Sequence, residues 1–92
     1  MMFRVLRAFY LPGRDLVVLT GSVLEGELHD ESWVDLPRHL GGPGWVRVNS
    51  VESVRYADGN EDLALTLAMD ALAPVPMFEP SLLEGRVLAL RR

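Results

Sequence analysis

Ninety-two residues make one domain, which buries roughly two-thirds of its unfolded surface, and a hydrophobic fraction of 49% supplies the core. The formal net charge of −4 argues against a general binder of nucleic acid or of anionic membranes. There is no cysteine, which excludes disulfides and thiolate chemistry. No apolar run approaches the roughly 18 residues of a membrane span and the N-terminus lacks a signal-peptide layout, so a cytoplasmic protein is expected.

Met2 to Leu11 reads as a first strand, with Phe3, Val5 and Phe9 on one side and Arg4, Leu6, Ala8 and Tyr10 on the other. Arg7 then falls on the apolar side, which demands either a rim position or a bulge around Leu6-Arg7 that resets the register. Pro12-Gly13 makes a turn. Leu16 to Thr20 is apolar at consecutive positions, as in a strand covered on both faces or lying on a tightly curved sheet. Gly21 suits a bend, a bulge or the close approach of a neighbouring strand. Val23 begins a new alternation, and Gly26 with His29-Asp30-Glu31-Ser32 leads through a turn to Trp33-Val34-Asp35-Leu36.

Pro37 to Gly44 is the clearest loop. Trp45 to Tyr56 reads as a long strand whose parity changes between Val48 and Val51, so a bend or bulge is expected near Asn49-Ser50. Asp58-Gly59-Asn60 marks a tight turn. Leu63 to Met69 alternates, with leucines and Met69 inward and Ala64, Thr66 and Ala68 opposite. Asp70 to Pro80 holds three prolines and reads as an irregular connection. A short turn at Ser81 to Gly85 precedes the last strand, Arg86 to Leu90. The expectation is an all-β fold: a small six-stranded closed or nearly closed β-barrel, with residues 1–92 forming a single β-barrel domain.

Several of these residues fall in a familiar order. Val5, Ala8-Phe9, Gly13-Arg14, Val17-Val18, Thr20-Gly21, Val23 and Gly26 follow the pattern of the second domain of elongation factor Tu and related translation GTPases. Val51-Glu52 and Glu84-Gly85-Arg86-Val87-Leu88 also sit where that family has similar segments. The chain thus resembles the translation-factor second-domain β-barrel, without the GTPase domain, over nearly its whole length. The resemblance implies a stand-alone, non-catalytic interaction module that docks on a protein or ribosomal partner. Two acidic residues of that domain help hold the aminoacylated end of transfer RNA; Leu6 and Arg7 stand there instead, so that role is not implied. The family's glycine-aspartate turn after the third strand is replaced by Glu31-Ser32.

The chemistry-bearing residues give few sites. His29 beside Asp30 and Glu31 lacks the three or four converging ligands of a metal centre, since the other imidazole, His39, lies in a distant loop. Gly41-Gly42-Pro43-Gly44 lacks the lysine and the following helix of a phosphate loop. No serine sits in a nucleophile elbow. An enzyme, a metal or a cofactor is therefore not expected. Charge is more patterned: Glu25, Glu27, Asp30, Glu31 and Asp35 cluster, whereas Arg4, Arg7, Arg14, Arg86, Arg91 and Arg92 gather toward the chain ends. An arginine-rich rim of Arg4, Arg7 and Arg86 is the candidate surface for RNA or an acidic protein, RNA binding being the alternative function. Trp45, Met77 and Phe78 are candidate apolar partner contacts, a homodimer included.

Overall fold

An unbroken alternation along the first strand would put Arg7 in line with Phe3 and Val5, and the chain avoids this with one extra residue. In a computed structural model, which describes residues 1–26, 28, 31–68, 70 and 79–92, strand β1 (Met2–Leu11) pairs antiparallel with β2 (Leu16–Glu25). Val5 lies opposite Gly21 and Arg7 opposite Thr20, so Leu6 is bulged out of the ladder. Inward positions are Phe3 and Val5 before the bulge and Ala8 after it. Phe9 therefore turns outward with Arg7, reversing the expected sides of Ala8 and Phe9. The bulge explains Gly21: a Cβ there would run into the carbonyl oxygen of Arg4, with its carbonyl carbon 2.9 Å away.

Five more strands complete the sheet: β3 (Trp33–Leu36), β4 (Gly44–Arg47), β5 (Ser50–Arg55), β6 (Glu61–Ala68) and β7 (Val87–Arg91). All pairings are antiparallel, in the order β4-β3-β7-β1-β2-β6-β5. The sheet curls around one core of Phe3, Val5, Val17, Leu19, Val34, Leu36, Val46, Val48, Leu65, Leu67, Leu88 and Leu90. A 3-10 turn at Pro80–Leu83 adds Leu83 to that core. Beyond Val5, β1 has outrun its pairing with β7. The Ala8 amide is taken up there by the Glu84 carboxylate at 3.1 Å, which satisfies a donor the ladder leaves unmet.

The expected closed or nearly closed six-stranded barrel is not what forms. The anticipated bend near Asn49-Ser50 splits the long strand in two, giving a seven-stranded, open half-barrel whose edge strands β4 and β5 stand 9 Å apart. The reason lies in the joint. Through β4 the segment pairs only with β3, and through β5 only with β6. Between them the Val48 amide donates to Ser32 and the Asn49 amide to Thr66. No residue bonds both neighbours in a continuous ladder. The resemblance to the second domain of elongation factor Tu is thereby corrected, and with it the function it implied. Neither a translation-factor-like docking module nor the alternative RNA-binding barrel follows from an open half-barrel of this kind. No helix among the described residues is long and apolar enough to cross a membrane.

Candidate functional site

The outer face of β1-β2-β6-β5 is built from the residues that alternate with the core. One row across the strands runs Arg7, Thr20, Ala64, Glu52; the next runs Phe9, Val18, Thr66, Ser50. The two middle strands contribute small side chains and the flanking strands large ones. Val18, Thr20, Ala64 and Thr66 therefore form a floor only 2–6% exposed. Phe9 and Leu11 on one side and Val54 and Tyr56 on the other stand up as walls. The result is a concavity of about 390 Å³, also bordered by Arg7, Arg14, Leu16, Glu52 and Ser53. That is within the range of small-molecule sites, which are mostly apolar with a few placed polar groups.

The β5 wall is fixed by its hairpin. Asp58 accepts from the Asn60 amide at 2.9 Å, and Gly59 takes a φ of +90° that the tight turn requires. Arg55 Nε donates to Glu61 at 2.9 Å across the exposed rim; such a pair contributes about 0–1 kcal/mol. The Tyr56 hydroxyl donates to Asp62 at 2.9 Å. That bond, with some desolvation and the Asp62 charge, raises the Tyr56 pKa above the usual 10.0. Thr20 and the Arg7 charge act in the opposite direction.

The floor's two hydroxyls differ. Thr66 Oγ1 shares a 2.6 Å hydrogen bond with Ser50 and accepts from the Asn49 side-chain Nδ2 at 3.2 Å. Thr20 Oγ1 is fully buried and has no hydrogen bond among the described residues. It lies near enough to the Tyr56 hydroxyl to favour its ionised form, without reaching bonding geometry, while Tyr56 gives its own proton to Asp62. An unmet buried hydroxyl costs about 1–3 kcal/mol.

Arg4 is exposed on β1 opposite Ser22 and Val87. Arg86 is exposed just before β7, its carbonyl accepting from the Val5 amide at 2.8 Å. Arg7 lies past the bulge, on the border of the concavity. Trp45 is three strands from β1 in the sheet order, 38% exposed, with the Arg91 guanidinium 4.2 Å above its ring. Met77 and Phe78 lie outside the described residues. Thr20, Ala64, Thr66, Val54 and Tyr56 were missed, although β6 carried a signal: small residues alternate with its leucines, as a floor requires. Among the described residues no group of three histidine or carboxylate side chains could hold a metal ion. No protein-family model, curated protein or solved structure matches the chain.

Proposed function

We propose that this chain is a non-catalytic binding domain whose site is the outer-face concavity and whose ligand is a small, mainly apolar molecule carrying a hydrogen-bonding group. The observation that carries this reading is Thr20. Its hydroxyl is buried and without a hydrogen bond among the described residues, on the floor of an apolar recess of about 390 Å³. A ligand whose polar group reaches this hydroxyl as the recess opens would recover the free energy that its lack of a partner costs.

Amide chemical-shift mapping with 1-octanol, a neutral amphiphile, tests it. Saturable shifts centred on Val18, Thr20, Ala64 and Val54 are expected. An Ala64→Leu variant, which fills the recess from its floor, should lose them while keeping the native circular dichroism. Shifts confined to the Trp33–Trp45 side of the sheet, or none at all, would overturn the reading.

A further inference from the structure

We propose that the ligand is a monoanion, a carboxylic acid with an apolar tail, seated by Arg7 and Thr20 at the β1 side of the concavity. This rests on reading the concavity as a binding site. Arg7 and Thr20 are direct cross-strand partners in the ladder on the same outer face, so a charged fork and a buried hydroxyl are adjacent. Among the described residues, Arg7 forms no ion pair, unlike Arg55, which pairs with Glu61. Its charge reaches the Tyr56 hydroxyl on the opposite wall, as a guanidinium beside the recess should. Tyr56 itself gives its proton to Asp62 rather than to Thr20.

The row that holds this seat is polarised. Arg7 begins it and Glu52 ends it, three strands away, or about 14 Å at the usual strand spacing. A carboxylate is therefore attracted to the β1 end and repelled from the β5 end, which gives a single orientation and disfavours a second negative group. The tail then lies along the next row, over Val18 and against Phe9, toward Leu11 and Leu16. A carboxylate beside Thr20 brings its own charge-assisted bond to Arg7. The protein carries a net charge of −4, so a general attraction for anions does not explain the preference.

The experiment is calorimetric titration of octanoate and 1-octanol into the intact chain and four variants. Octanoate is expected to bind at least tenfold more tightly than octanol. Arg7→Gln should erase that preference, and Arg7→Lys should keep part of it because the charge remains while the fork is lost. Arg4→Gln, exposed on β1 and outside the border of the recess, should leave the preference intact. Glu52→Gln should tighten octanoate two- to threefold. Equal affinity for the two molecules, or a preference that survives Arg7→Gln, would overturn the carboxylate seat and leave the concavity reading standing. Binding of neither molecule would remove both.

Discussion

The two faces of β2 and β6 are almost equally hidden and differ in what hides them. Inward, Val17, Leu19, Leu65 and Leu67 are closed over by other apolar side chains of the curled sheet. Outward, Val18, Thr20, Ala64 and Thr66 lie at the bottom of a recess, shaded by longer residues on β1 and β5. Low exposure on the first face reports packing and stability. On the second it reports shape, because the space above the floor is open to an occupant. Fractional burial alone does not separate a core from a site; the surroundings of the buried atoms do.

The largest expected break in this comparison is Leu65→Ala. It empties a fully buried inward position and should cost about 2–5 kcal/mol, read as a lower urea midpoint at unchanged m-value. Next come two identical substitutions on the outer floor with opposite signs. Thr66→Val strands Ser50 and Asn49 without their partner and should cost about 1 kcal/mol. Thr20→Val removes an unmet hydroxyl and should be neutral or stabilise by up to about 1 kcal/mol. A clear loss on Thr20→Val would mean that its hydroxyl is already served in solution, and the distinction between the floor's two ends would vanish.

The smallest effect concerns the wall. In a Tyr10→Phe variant Tyr56 is the remaining tyrosine of the two. Its ultraviolet titration should have a midpoint above 10.0, and Asp62→Ala should move that midpoint down. Because the folded state holds this proton more tightly, whatever stability the bond lends is present below pH 10 and is lost as pH rises through the folded value. A midpoint unmoved by Asp62→Ala would show that the Tyr56–Asp62 bond does not shape the wall.

Much of the strand pattern was legible because it is local. The turn at Asp58-Gly59-Asn60, the bend before Ser50 and the glycine facing a bulge are each written in a few adjacent residues. The Leu6 bulge was recoverable from one misplaced charge, Arg7. Closure was not legible. Periodicity tells which side of Val46, Val48 and Val51 faces inward, but not whether one strand bonds both its neighbours at once. The concavity escaped for a related reason. Its rows join residues from four strands, and the state of Thr20 depends on which groups those strands fail to bring near it.

Strand β7 has a consequence for assembly. It pairs with Met2–Arg4 of β1 on one side and with Trp33 and Val34 of β3 on the other. Without it, the sheet would fall into two pieces, β4-β3 and β1-β2-β6-β5, connected only by the chain between β2 and β3 and by the Val48-Asn49 joint. The space between the pieces is one strand wide and edged by main-chain groups that stay unpaired until it is filled. The segment that fills it also brings Leu83 to the core and Glu84 to the Ala8 amide. A peptide of residues 79–92 therefore carries the hydrogen bonds, the apolar plug and the carboxylate needed to complete the sheet. Supplied separately, it would act as a complementing fragment, putting the folded state under the control of a second chain.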